Sequence, residues 1–313
     1  MYRAARNSRV INALINAARN EKEVTAYVEL QASFDEEANV GWAEIMKAEG
    51  IRTVYYAPGG LKVHSKLLII RREEKGRMVD YTAIGTGNPN EATSRIYGDH
   101  HLLTADKRLT SDVNKVFELL ESKKLKKPKF EALVVSPFAT RKTFLALFDR
   151  EIHHAMLGRE AWAIVKLNNL VDRAIVDKMY EASRAGVRIQ CVIRGMCVLV
   201  PGLEELSENI TAVRIVDRYL EHARVLVFAN DGKPEYFMGS ADWMSRNFDN
   251  RVEVTTPVFD PDIREELMRI LQIQLADNVK ASPVNGSRTS VVSKKKLRSQ
   301  YAIHEMLREA NEE

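Results

Sequence analysis

Cysteine is almost missing from this 313-residue sequence, which has only Cys191 and Cys197. Two thiols cannot form a disulfide framework, and their spacing is not that of a structural zinc site, so a reduced intracellular thiol pair is expected. Long apolar runs are missing too. No uninterrupted stretch approaches the roughly 20 residues of a membrane helix, and the N-terminal MYRAARNSRVINALINAARN lacks the apolar core of a signal peptide. Net charge of either sign is small: 47 Lys and Arg against 43 Asp and Glu give +4. No nucleic-acid partner is expected, and any other anionic partner must be met by a local patch. Neither GxxxxGK[ST] nor a kinase-type Gly-rich loop occurs, so a nucleotide would not be held by a standard P-loop. A soluble, cytoplasmic protein is expected, with peripheral attachment to an inner membrane left open.

What is present is the composition of an ordinary globular protein, 45% hydrophobic and 29% charged, long enough for two domains. Ser8 can cap a helix whose apolar positions Val10, Ile11, Leu14, Ala17 and Ala18 recur at helical spacing before the strand-like VTAYVEL. A second helix over 35–49 stops at Gly50, and the strand IRTVYYA follows. LKVHSKLLII and VDYTAIGTGN, joined by a polar turn around 73–76, predict a hairpin. A helix near 111–122 precedes the basic stretch KKLKKPK, read as a linker. The same grammar then restarts: strand ALVVSP, a helix over 140–157, strand WAIVKLN, a helix stopped at Gly186, and strand VRIQCVIRG. TAVRIVD, ARVLVFAND and EYFMGSADW are further strands. A helix from Pro261 to about 276 comes before a Ser/Lys-rich stretch expected to be mobile and a terminal amphipathic helix.

The decisive feature is a weak internal repeat. VHSKLLII followed by IGTGN corresponds to EHARVLVF followed by MGSAD, so that His64 and His222 lie about half a chain apart. Each histidine has a cation two residues on, Lys66 or Arg224. In a strand residues i and i+2 share a face, so His64 and Lys66 are expected to point together, as are His222 and Arg224. If the halves pack about a pseudo-twofold axis, two imidazoles and two cations meet in one cleft. A neutral imidazole is a good nucleophile towards phosphorus, and the cations suit phosphoryl oxygens. Gly85, Gly87 and Asn88, with Gly239, Ser240 and Asp242, put small residues and amides where backbone could approach phosphate. His100, His101, His153, His154 and His304 have no matching context and read as structural or surface residues.

Two His-x-Lys/Arg motifs, each with a Gly-rich strand end, resemble the phospholipase D superfamily, whose duplicated halves place both histidines in one active site. Its phosphodiesterase members carry Asp five residues after the lysine, where this sequence has Arg71, and Lys where it has Arg224. Longer phrases, among them YRAARNSRVINALINAA, APGGLKVHSKLLII, IGTGNPNE, VIRGMC, IVDRYLEHARV and SADWMSRN, resemble the two C-terminal domains of bacterial polyphosphate kinase, over nearly the whole chain to about Lys280. The fold class implied is α/β: two phospholipase D-like domains related by internal duplication, each a mixed β-sheet flanked by helices. They are expected at residues 1–127, carrying His64, and 128–280, carrying His222, with a tail and terminal helix over 281–313.

The resemblance implies an ATP:polyphosphate phosphotransferase. His64 matches the histidine that becomes phosphorylated and His222 its partner, with Lys66 beside them. Tyr97, Arg194 and His222 match nucleotide-binding positions; Arg251 matches a further arginine of the phosphate cleft, and Arg224 is another phosphate holder. Arg3 matches a position near magnesium; an arginine cannot ligate a cation, so it reads as a clamp on magnesium-bound phosphates. Magnesium with ATP or ADP is the implied cofactor, and inorganic polyphosphate the second substrate. Ser33 stands where the family has a second such arginine, and APGGLK carries an extra glycine. The family has an N-terminal and a helical domain ahead of this region, expected to be missing here, and a homo-oligomer is left open. Two rivals remain: a phospholipase D-like phosphodiesterase, and a non-catalytic polyphosphate-binding fragment.

Overall fold

The computed structural model describes residues 4–5, 7–30, 36–122, 124–285 and 295–312. Arg3, Ser33 and the Ser/Lys-rich stretch 286–294 lie outside the described residues. The chain divides into two compact units. One comprises Met1–Phe138, Gly239–Ala241 and Asp249–Thr256; the other Ala139–Met238, Asp242–Phe248 and Pro257–Glu313.

In the first unit, Ser8 caps the helix Arg9–Arg19, its hydroxyl accepting from the Ile11 N–H at 3.2 Å. Ile11 and Ile15 turn inward with Ala26, Val28, Ala43, Met46 and Ile51 to make a small core under the parallel strands Thr25–Tyr27 and Arg52–Val54. The predicted hairpin is present, with Lys66–Glu74 paired antiparallel to Arg77–Gly85 and His101–Thr104 on the far side of the second strand. Lys75 and Gly76, at φ 51° and 75°, make the two-residue turn, the left-handed pair that matches hairpin twist. The helix Lys107–Glu121, capped by Asp106, packs on the two strands of this hairpin. The parallel and antiparallel strands of this unit belong to separate ladders.

The second unit is built on one mixed sheet. From the edge inward its order is Ala281–Pro283, Ile210–Ile215, Arg188–Ile193, Trp162–Leu167, Arg224–Phe228 and Glu235–Gly239. The strands at 210, 188 and 162 run parallel, and those at 281 and 224 run antiparallel to their neighbours. Apolar residues predominate in the three parallel strands, and those facing the helices Thr140–Met156 and Arg173–Arg184 share one buried core with Phe144, Phe148, Ile175 and Met179. Phe144, Phe148, Phe228 and Trp243 form its aromatic centre, with ring centroids of Phe148 5.2 Å from Phe228 and 6.0 Å from Trp243. The last helix, Ser299–Glu312, is pinned at its start: Asp277 accepts the Ser299 N–H at 2.7 Å, and Arg298 pairs with Asp217.

Phe148 is fully buried at this centre. Phe148→Ala is expected to cost about 3–5 kcal/mol of stability, through lost transfer energy and the cavity left behind. Urea denaturation of the two proteins checks this.

Candidate functional site

His64 does not sit in an unbroken strand. The short strand Lys62–Val63 pairs parallel with Arg251–Val252, and the next strand begins only at Lys66. In the gap the N–H groups of His64 and Ser65 both donate to the single carbonyl of Val252, each at 3.0 Å. Two residues opposite one is the signature of a β-bulge, and a bulge re-aims side chains. This corrects the expectation that simple alternation puts His64 and Lys66 on one strand face. The two still come together, because Lys66 folds back and its Nζ donates to the His64 carbonyl.

The imidazole is set by a carboxylate that the sequence reading passed over, Glu253. His64 Nδ1 lies 2.9 Å from Glu253 Oε1 and 3.0 Å from Oε2. Ser240 Oγ donates to the same carboxylate at 2.5 Å, and the Arg251 guanidinium stands 3.6 Å away. Glu253 is fully buried. Burial alone would raise its pKa, but His64, Lys66 and Ser240 outweigh that and hold it below the usual carboxylate value. An ionised carboxylate can only accept, so Nδ1 carries the proton and the ring's lone pair is at Nε2. Burial, more than any other cause, and the positive charges of Lys66 and Arg251 depress His64 to about 4 despite Glu253. His64 is therefore a neutral imidazole at neutral pH.

The second motif has a similar break in its strand. The short strand Leu220–Glu221 ends before His222, and the next begins at Arg224. Arg224 Nη1 donates to the His222 carbonyl at 2.7 Å, as Lys66 does to that of His64, and lies 3.3 Å from His222 Nε2. Its Nε is 3.3 Å from Asp242 Oδ1. Asp242 also accepts from the Asn168 and Asn169 N–H groups, and Asn168 Oδ1 accepts from Arg194 Nε at 2.7 Å. Burial opposes the charge on Asp242, but Arg224 and Asn169 keep its pKa below the ordinary value. His222, Arg224 and Arg194 thus share one network. Next to His222, buried Glu221 is held by Lys166 at 2.5 Å, Gln274 at 2.7 Å and Gln300 at 2.9 Å, tying the motif to the last two helices.

The duplication is also legible in hydrogen bonds. Ser240 N donates to Val254 O, Val254 N to Ser240 Oγ, and Ser240 Oγ to Glu253. At identical separations Thr86 N donates to His100 O, His100 N to Thr86 Oγ1, and Thr86 Oγ1 to Asp99. Gly239 and Gly85 precede the two hydroxyls. A Cβ on Gly239 would meet Val254 O at 2.6 Å, and one on Gly85 would meet the His101 ring at 2.5 Å, so both positions need the missing side chain. Tyr97 stands on the two-residue strand Tyr97–Gly98 leading into Asp99. Arg71 points outward from the hairpin, with Nε 2.7 Å from Asp80 directly across the ladder. Among the described residues no group of three or more His, Cys, Asp or Glu side chains could hold a metal ion, and Arg3 lies outside them. No helix among the described residues is long and apolar enough to cross a membrane.

Two family models cover most of the sequence. One described as polyphosphate kinase C-terminal domain 1 matches residues 1–126, and one described as polyphosphate kinase C-terminal domain 2 matches residues 133–302. The chain belongs to the polyphosphate kinase family. The polyphosphate kinase of Vibrio vulnificus (strain CMCP6) is 48% identical over 312 residues, 98% of this chain and 44% of that protein. The crystal structure of polyphosphate kinase from Porphyromonas gingivalis superimposes with a TM-score of 0.89 at 39% identity, over 100% of this chain and 48% of that one. This member of the family spans about half the length of the relatives it matches. Phosphatidylserine synthase from Haemophilus influenzae Rd KW20, at 9% identity and a TM-score of 0.50 over 96% of this chain, shares the fold alone.

The depressed His64 pKa sets a pH dependence. The unfolded chain takes up the His64 proton near 6.5, whereas the folded protein resists it down to about 4. The unfolded state binds more protons in that window, so stability falls as pH drops through it. Relative to His64→Gln, the parent protein is expected to lose up to a few kcal/mol between those limits. Denaturant titrations of both proteins across the window measure it.

Proposed function

We propose that this chain carries the phosphoryl-transfer centre of a polyphosphate kinase, moving the γ-phosphate of ATP reversibly to polyphosphate through a phosphohistidine at His64. The observation that carries the reading is the buried Glu253 carboxylate on His64 Nδ1, which fixes the tautomer and leaves Nε2 as nucleophile. Nε2 attacks the γ-phosphorus, a N–P bond forms, the bond to the bridging oxygen breaks, and ADP leaves. As the ring gains positive character, Glu253 stabilises it through the Nδ1 proton, much as a carboxylate serves histidine in a catalytic triad. A terminal oxygen of polyphosphate then attacks the phosphohistidine, the N–P bond breaks and His64 is regenerated. Running backwards, the same steps make ATP.

Lys66 and Arg251, beside the ring, supply positive charge for the phosphoryl oxygens as charge spreads over them. The resemblance gives nucleotide-binding roles to Tyr97 and Arg194 and a phosphate-holding role to Arg224; the two arginines are held in the Asp242 network. It gives His222, whose Nε2 lies 3.3 Å from Arg224 Nη1, the role of partner histidine. Magnesium would come with the nucleotide as Mg-ATP and would neutralise charge on the transferring phosphates. The resemblance gives Arg3 as a clamp on those phosphates. The outward Arg71–Asp80 pair disfavours the diesterase alternative.

Incubation with γ-labelled ATP and magnesium is expected to leave acid-labile, base-stable label on the protein and none on His64→Ala. Glu253→Gln keeps the shape but removes the anion, and labelling should slow roughly 100-fold or more. Undiminished label on His64→Ala would overturn the assignment, and an unlabelled parent protein that still binds polyphosphate would favour a binding fragment.

A further inference from the structure

The basic stretch read from sequence as a linker is, in the structure, an exposed strap fastened at both ends within the first unit. Lys124, Lys126, Lys127 and Lys129 are all exposed, and residues 125–130 carry neither helix nor strand. At the front, Ser122 Oγ donates to the Lys124 carbonyl at 2.9 Å. At the back, buried Asp112 accepts the N–H groups of Glu131, Ala132 and Leu133 at 2.8, 2.8 and 3.0 Å. Lys115, paired with Asp112 at 2.8 Å, also donates to the Lys129 carbonyl at 2.9 Å. A fully buried carboxylate spent on holding backbone in place is more than a passive connector needs.

The strap lies beside the turn that leads into His64. Gly59, at φ +72°, packs so close to Leu125 that a Cβ there would be 3.0 Å from Leu125 Cδ2. From Gly60 to His64 the chain advances only four residues, at most about 14 Å even when extended. Of the acidic residues in and around the strap, Glu121 pairs with Arg52 at 3.0 Å, Asp112 with Lys115 at 2.8 Å, and Glu131 stands 3.9 Å from Lys115. Among the described residues no carboxylate pairs with the ammonium groups of Lys124, Lys126, Lys127 or Lys129. Four like charges within six residues repel one another unless a polyanion lies along them.

We propose that Lys124, Lys126, Lys127 and Lys129 form a binding track for the outer phosphates of a linear polyphosphate whose end reacts at His64. This rests on the transferase reading above and adds to it a substrate site remote from the reacting phosphate. A chain long enough to reach both His64 and the strap gains contacts that tripolyphosphate cannot make. Each lysine engaged releases counterions, so the track also makes long-chain binding salt-sensitive.

The test compares K124Q/K126Q/K127Q/K129Q with K22Q/K47Q/K75Q/K233Q, which removes equal charge from exposed positions elsewhere. Binding of labelled long-chain polyphosphate and of tripolyphosphate is measured against salt. The strap variant is expected to lose about tenfold or more in long-chain affinity, and its log–log salt slope to flatten by roughly 3, taking about 0.7 per contact for a single-stranded polyanion. Its tripolyphosphate affinity should match that of the parent, and the control variant should behave like the parent with both ligands. Equal losses in the two variants, or equal losses for long and short chains, would overturn the track. A parent protein that binds neither ligand overturns this proposal and the transferase reading together, whereas strap-dependent long-chain binding without turnover overturns the transferase reading and supports the track as a binding site only.

Discussion

The geometry around His64 depends on one buried contact, the Nδ1 hydrogen bond to Glu253. A carboxylate with no exposed surface is costly unless it is neutralised or fully hydrogen-bonded. Ser240, His64 and the nearby Lys66 and Arg251 meet that cost together. The same arrangement decides which ring nitrogen holds a proton. It also decides that the imidazole stays neutral, since a proton on Nε2 would place a further positive charge beside two cations in a site largely closed to water. Backbone irregularity is part of this arrangement: the bulge at His64 and Ser65 presents the ring to Glu253 where regular pairing would have set it by alternation.

The duplicated plan explains why such a site is assembled from distant sequence. In each repeat a Gly-rich strand end delivers a hydroxyl, Thr86 or Ser240, which locks onto a strand about a dozen residues later and bonds a carboxylate there, Asp99 or Glu253. In each repeat the cation two residues after the histidine reaches back to that histidine's carbonyl. The halves have diverged in what surrounds the ring: a serine-supported glutamate at His64, and at His222 an arginine braced by Asp242 and two asparagines.

Much of this was legible in the sequence. The Ser8 cap, the hairpin turn at Lys75 and Gly76, the helix stopped at Gly186 and the strands within WAIVKLN, VRIQCVIRG, TAVRIVD and ARVLVFAND follow local rules, and the structure carries them at nearly the expected residues. The paired histidines with their cations were found by repetition, and in each pair the cation bonds its own histidine's carbonyl. The bulge was not legible, because a doubled hydrogen bond to Val252 is a fact about a partner strand nearly two hundred residues away. Glu253 left a signal that could have been read: a single carboxylate inside the β-branched run RVEVTTPV, in step with Arg251, has to be paired if that strand is buried. What could not be read is which histidine it would serve, since that is settled by tertiary pairing alone.

The measurement that bears most directly on the central claim is identification of the phosphorylated ring nitrogen, by nitrogen and phosphorus NMR of the protein after reaction with Mg-ATP. A carboxylate on Nδ1 requires the phosphorus on Nε2, and that is the expected result. Phosphorus on Nδ1 of His64 would contradict it, because Glu253 could not then hold the ring as described.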